Sequence, residues 1–163
     1  MKGQSKSPTR RDRLIRERVH DAYKTRKKLP EPTVCPDCLA VFHKGRWQWG
    51  ARPPDSHNEE RCPACHRIHD KYPAGFITLS GQFFQEHKAE IVNLAHNVEL
   101  NAKAQHPLQR IMFEEEKDDG LLITTTDIHL ARGIGEALHR AYHGELDYQY
   151  AEEGNILQLS WKR

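Results

Sequence analysis

All four cysteines of the chain fall in two units of one form, Cys35-Pro-Asp-Cys38 and Cys62-Pro-Ala-Cys65, separated by 23 residues. Each short unit can point two sulfurs at one ion, and two units supply the four soft ligands that tetrahedral zinc prefers, at about 2.3 Å each. Iron accepts the same four-sulfur geometry, so the spacing names the ligands more firmly than the metal. Four cysteines make a closed site, whereas a catalytic zinc keeps three protein ligands and an open position. A single structural ion is therefore expected, holding together a loop that would not fold without it. Disulfides are disfavoured in a chain read as intracellular, where thiols stay reduced. A thioredoxin-type site needs one C-x-x-C at a strand-to-helix junction, not two in a polar segment. His43, His57, His66 and His69 lie nearby as substitute ligands but are read as surface or RNA-facing. Many such units carry Gly directly after the second Cys; here Leu39 and His66 stand there, and looser turns are expected.

Between the two units, Lys44, Arg46, Trp47, Trp49 and Arg52 interleave cations with indoles. That pattern suits RNA, with charges on phosphates and unpaired bases stacked on rings; equally, Trp47 and Trp49 can form the small core of the ribbon. Upstream, Ser7 and Pro8 start an expected helix whose apolar stripe is Leu14, Ile15, Val19, Ala22 and Tyr23. Around the stripe stand Arg10, Arg11, Arg13, Arg16, Arg18, Lys24, Arg26, Lys27 and Lys28. The segment "LPEPT", residues 29–33, reads as a short stiff linker.

The net charge of +2 hides an asymmetry. Residues 1–72 carry 17 Lys/Arg against 9 Asp/Glu, and residues 73–163 carry 8 against 14. The basic half suits phosphates; the acidic half repels them and suits protein contact. No apolar run approaches the roughly 18–20 residues of a membrane span, and the N-terminus lacks a signal-peptide stretch, so a cytoplasmic protein without membrane contact is expected.

The acidic half alternates strand and helix patterns. "AGFITLSG" reads as a strand, and Phe84, His87, Ile91, Leu94 and Val98 predict one amphipathic helix from Gln82 to about Ala104, stopped at His106-Pro107. Two strands then flank an Asp-Gly hairpin at Lys117–Gly120. A second helix, capped by Thr126 or Asp127 and closed by Gly144, buries Ile128, Ala131, Ile134, Leu138 and Ala141. "ELDYQY" and "ILQLSW" finish the chain as strands. The order β-α-β-β-α-β-β predicts an α+β fold, a ferredoxin-like split βαβ sandwich with one extra strand. The expected organisation is a basic helix and linker (1–33), a zinc ribbon (34–72) and the ferredoxin-like domain (73–163).

Signs of catalysis are weak. "CPACHRIHDK" echoes the end of HNH-type nucleases, but "DSHNEE" leaves too few residues before Cys62 for the helix such a site needs. Glu114, Glu115 and Glu116 read as solvated, and His139 and His143 as surface. Gly133 and Gly135 lie inside a helix, which suits close packing rather than phosphate binding. No enzyme is expected.

The paired C-P-x-C ribbon, "YPAGFITLSGQF" and above all "DDGLLITTTDIHLARGIGEAL" resemble the large-ribosomal-subunit export-adaptor family of archaea and eukaryotes, linked by name to nonsense-mediated decay. The resemblance covers roughly residues 34–150, with Gly120, Leu121, Ile123, His129, Ala131 and Arg132 its more specific part. It also extends to a small bacterial group of zinc-ribbon proteins. It implies that Cys35, Cys38, Cys62 and Cys65 hold zinc and that the partner is the ribosome or its RNA; His129 and Arg132, near a helix start, either contact a partner or orient the helix, and the acidic domain either meets ribosomal proteins or completes the grip on RNA. The adaptors have further cysteine pairs and export signals, so nuclear export is not implied. The resulting expectation is a zinc-ribbon RNA-binding factor on the large subunit, acting by binding in stress response, subunit protection or assembly. The rivals are a zinc-ribbon protein–protein adaptor and a metal-dependent nuclease.

Overall fold

The structure, a computed structural model, describes Tyr23, residues 28–51, Pro53, residues 57–151, Glu153 and residues 155–163. The expected basic helix, with Arg10, Arg11, Arg13, Arg16, Arg18, Lys24, Arg26 and Lys27, lies outside the described residues, as does Arg52.

Four very short strands form a first sheet: β1 (Thr33–Val34), β2 (Val41–His43), β3 (Arg46–Gln48) and β4 (Asn58–Glu59), in the order β3-β2-β1-β4. Lys44 and Gly45 join β2 to β3 with φ of 51° and 78°. Two positive φ values in a two-residue loop are what the twist of a tight hairpin demands. The Gly45 N–H donates to Glu31 Oε1 at 2.8 Å, and that hydrogen bond holds the Glu31 carboxyl below the usual carboxylate range. The expected linker is thus woven into this sheet: Thr33 opens β1 and Leu29 is buried.

After β4 comes α1 (Pro63–Asp70), then β5 (Gly75–Ser80), α2 (Gln82–Glu86), α3 (Lys88–Gln105), β6 (Ile111–Lys117), β7 (Gly120–Thr125), α4 (Ile128–Tyr142), β8 (Glu145–Ala151) and β9 (Ile156–Lys162). The last five strands make a second sheet in the order β6-β7-β5-β9-β8. It is mixed, because β9 runs parallel to β5 while the other neighbours are antiparallel. The final hairpin therefore places β9 inside the sheet and leaves β8 at its edge. With a side-chain period of two, Ile77, Leu79, Leu121, Ile123, Leu157, Leu159 and Trp161 reach one face. There they meet Phe84, Ile91, Ala95, Leu130, Ile134 and Leu138 from the helices. Thr78, Gln158 and Ser160, on the alternate positions, are exposed. The chain is thus mixed α+β, with two sheets and four helices among the described residues.

The single helix expected over 82–104 is two. The backbone breaks at His87, whose φ of −119° and ψ of 24° are not helical. The reason is non-local. The Phe84 N–H donates to the Arg163 carbonyl at 3.2 Å, which tethers α2 to the end of β9 while α3 crosses the sheet. The β6–β7 turn is also shifted from the expected one. Lys117 pairs with Gly120, so Asp118 and Asp119 are the turn and Gly120 belongs to β7. A Cβ on Gly120 would stand 1.8 Å from the Leu79 carbonyl oxygen, so the glycine serves the close approach of β5 rather than the turn.

Helix α4 follows its local signals. Asp127 accepts from the N–H groups of His129 and Leu130 at 2.8 and 3.1 Å. Its two glycines differ, however. A Cβ on Gly135 would lie 2.4 Å from Leu159 Cδ1, whereas one on Gly133 would meet only Val98 Cγ1, at 3.9 Å. Close packing therefore explains Gly135 and not Gly133. Gly133→Ala is expected to stabilise the protein by roughly 0.5–1 kcal/mol through the helix preference for alanine. Gly135→Ala, which forces Leu159 out of place, should destabilise it by about 1–3 kcal/mol. Urea denaturation of the two variants checks the opposite signs.

Candidate metal centre

The two C-P-x-C units are built differently. The first is a turn after β1: the Leu39 N–H donates to the Cys35 carbonyl at 2.9 Å, and the Cys35 N–H to the Ala40 carbonyl at 2.9 Å. Leu39 takes φ of 66°, the left-handed conformation that glycine meets without strain, and its side chain is 61% exposed. The turn has therefore not loosened; it keeps its left-handed residue without the glycine. The second unit opens a helix. Cys62 is the N-cap of α1, its sulfur accepting from the Cys65 N–H at 3.4 Å, and Pro63 takes the first helical position. His66 sits within the helix, where no glycine is needed.

These elements bring the four sulfurs within 4.8 Å of one another. Cys38 and Cys62 are 3.8 Å apart, Sγ to Sγ. Four sulfurs around one ion at about 2.3 Å stand about 3.8 Å apart along each tetrahedral edge, so the donor set fits a four-coordinate ion. Cys35 and Cys62 are fully buried, Cys65 is nearly so, and Trp47 and Leu108 pack against the group. Backbone donors reach the sulfurs as well, with Cys62 N–H on Cys35 Sγ at 3.3 Å. The group can hold a metal ion, with no position left for a substrate on a tetrahedral centre.

The residue that sequence reasoning missed is Arg110. It comes from the acidic half, yet its guanidinium spans two of the sulfurs: Nη1 donates to Cys65 Sγ at 3.2 Å and Nη2 to Cys62 Sγ at 3.3 Å. Its Nε donates to the Pro107 carbonyl at 2.8 Å. The Arg110 N–H donates to Thr126 Oγ1 and the Thr126 N–H to the Arg110 carbonyl, each at 2.9 Å, so the backbone is fixed to the end of β7. Only 8% of Arg110 is exposed. Burial by itself would lower its pKa; the hydrogen bond to Cys65 and the charges of Cys38, Cys62 and Cys65 outweigh that and raise it. The side chain is a fixed cation. Four thiolates and a divalent ion sum to −2, and Arg110 halves the charge that must be buried.

Electrostatics sort the metal-free thiols. The sulfur–sulfur contact with Cys62 lowers Cys38 to about 4, and that same contact followed by burial pushes Cys62 up. Burial raises Cys65 to about 11, partly offset by Arg110.

The remaining expected site residues are dispersed. Lys28, Lys44 and Arg46 are exposed on or beside the β2–β3 hairpin, near His43 and Glu31. Trp47 stacks edge-on against Phe42, with centroids 5.6 Å apart, and leans on the cysteines. Trp49 lies beyond β3 and donates its Nε1–H to the Lys103 carbonyl at 2.6 Å, a second tie between the ribbon and the larger sheet domain. His129 is exposed at the start of α4, and Arg132 pairs with Glu136 at 3.0 Å. Of the acidic run, Glu114 and Glu116 pair with His96 and Lys88 of α3, and Glu115 with Lys117 at 3.1 Å. The His139 and His143 rings are 6.3 Å apart and edge-on. No helix of the described residues is long and apolar enough to cross a membrane. No protein-family model and no curated protein matches the chain.

Proposed function

We propose that the protein is a zinc-ribbon RNA-binding factor that associates with the ribosome, at the large subunit or its RNA, and acts by occupying its site. The carrying observation is the exposed cationic hairpin, Lys44 and Arg46 with Lys28 beside it, fixed by the Glu31–Gly45 hydrogen bond and by the four-cysteine group beneath Trp47. Exposed cations on a hairpin whose backbone is tied suit the phosphate backbone, which fixes position without sequence reading. Zinc is the ion of choice for four thiolates without redox work, and a closed tetrahedral centre supports a structural role and a protein with no reaction of its own. The antiparallel β6-β7-β5 part of the sheet supports a ferredoxin-like arrangement, with β9 as the extra strand beside β5. The acidic sheet domain then docks on protein, and the site of action is the cytoplasm, in stress response, subunit protection or assembly.

Sucrose-gradient sedimentation of lysates from growing and stressed cells tests the reading. Co-migration with large subunits or whole ribosomes at low salt, lost at high salt, is the expected result. With purified ribosomal RNA, Lys44→Ala and Arg46→Ala should each lower the slope of log affinity against log salt by about one. Absence from ribosomal fractions in every condition would overturn the reading and favour a protein-binding adaptor.

A further inference from the structure

Beside the metal centre lies a cavity of about 240 Å³, smaller than the roughly 300–1,000 Å³ that receive drug-sized ligands, and so of a size for one ring system. Its walls are of two kinds. Trp47 and His66 supply aromatic residues, with Leu29 and Pro63 as further apolar lining, and Glu60 and Arg61 supply one acidic and one basic residue. The Tyr23 ring also lines it, 6.4 Å from the His66 ring. A flat heteroaromatic ligand with donors and acceptors on its edges matches this mixture; an aliphatic side chain or a bare phosphate uses only half of it.

Arg61 is tethered through its side chain and Glu60 through its backbone. Arg61 Nε donates to Asp37 Oδ2 at 2.6 Å, which fixes the guanidinium and leaves it further N–H groups. The Glu60 N–H donates to the Val34 carbonyl at 3.1 Å, and β1 thereby anchors the carboxylate's backbone. Among the nucleobases, guanine alone offers two adjacent N–H donors on one edge for a carboxylate, together with the O6 and N7 acceptors that a guanidinium recognises. Adenine and cytosine present no such donor pair, and uracil presents one N–H.

The geometry points to this cavity as the binding site for a single unpaired guanine of RNA, stacked on Trp47 and read by Glu60 and Arg61. The inference rests on the RNA-binding reading above and adds to it the base that is recognised. The adjoining Arg46 and Lys44 then meet the flanking phosphates, so charge supplies background affinity and the cavity supplies preference.

The test uses the full chain loaded with zinc and fluorescently labelled RNA octamers: oligouridylate, and the same strand with one central G, A or C. Binding is followed by anisotropy. The octamer with G should bind about tenfold more tightly than the other three. Glu60→Gln, an exposed position whose change should leave the zinc content intact, should reduce the G octamer to the level of oligouridylate while the salt-dependent background persists. Equal binding of all four octamers, or a preference for G that survives in Glu60→Gln, overturns the guanine site and leaves the RNA-binding reading standing. Binding of none at low salt overturns both.

Discussion

Removing the metal, by a chelator or by Cys62→Ser, is expected to unfold the ribbon as a unit while the five-stranded sheet stays folded. The ribbon has little else to hold it. Its strands are two or three residues long, and its buried cluster is three of the cysteines with Ala64 and the flanking Cys38, Trp47 and Leu108. In zinc-finger peptides a structural ion contributes about 10–16 kcal/mol of apparent binding free energy, as much as the whole stability of an ordinary domain. The larger sheet, by contrast, owns a continuous core from Ile77 and Leu79 to Trp161, built without any ligand. Serine at position 62 separates the causes, because it is itself a good N-cap and spares the start of α1. Hydrogen exchange read by mass spectrometry should show lost protection over residues 33–48 and 62–70, with β5, β7 and β9 retained. Full protection of the ribbon in metal-free protein would mean that the cysteines pack without needing an ion.

Arg110→Met should weaken metal binding by about 10- to 100-fold, the range seen when partners of metal ligands are removed. Methionine fills much of the space but removes both N–H···S hydrogen bonds and the cation that lies against the thiolates. Removing the cation leaves the buried thiolates with their full desolvation penalty. Arg110→Lys is the informative second variant. It retains a charge but cannot present a planar fork to two sulfurs while also holding the Pro107 carbonyl, so its loss should be intermediate. Competition with a chromophoric chelator measures both. The coupling must also run in reverse: metal removal should raise exchange at the Thr126 amide, whose partner is the Arg110 carbonyl. Unchanged affinity in both variants would make Arg110 a packing residue only.

The ribbon and the acidic sheet domain are in direct contact despite their opposite charge, because a cation from the acidic half sits against the cysteines of the ribbon. Trp49 reinforces the joint through the Lys103 carbonyl. An RNA bound by the ribbon would thus be held at a fixed attitude to the acidic sheet domain, the condition for one protein to touch RNA with one end and protein with the other.

What could be read directly from the sequence was what short-range chemistry controls. The C-P-x-C spacing brings paired sulfurs together because few backbone torsions separate them. The cap at Asp127 and the apolar period of α4 were legible for the same reason, since a helix is specified by neighbours three and four residues apart. Tertiary structure decided the rest. Arg110 is 45 residues from Cys65, and nothing in "LQRIM" marks it as a partner of sulfur until the strand ladder places Arg110 opposite Thr126. Likewise the break at His87, the placing of Gly120 under Leu79 and the insertion of β9 beside β5 depend on chain segments distant in sequence. Local pattern can state which residues want to be buried, paired or bent; which of them meet is settled only when the sheet closes, because each such contact is made by a surface that neither segment possesses alone.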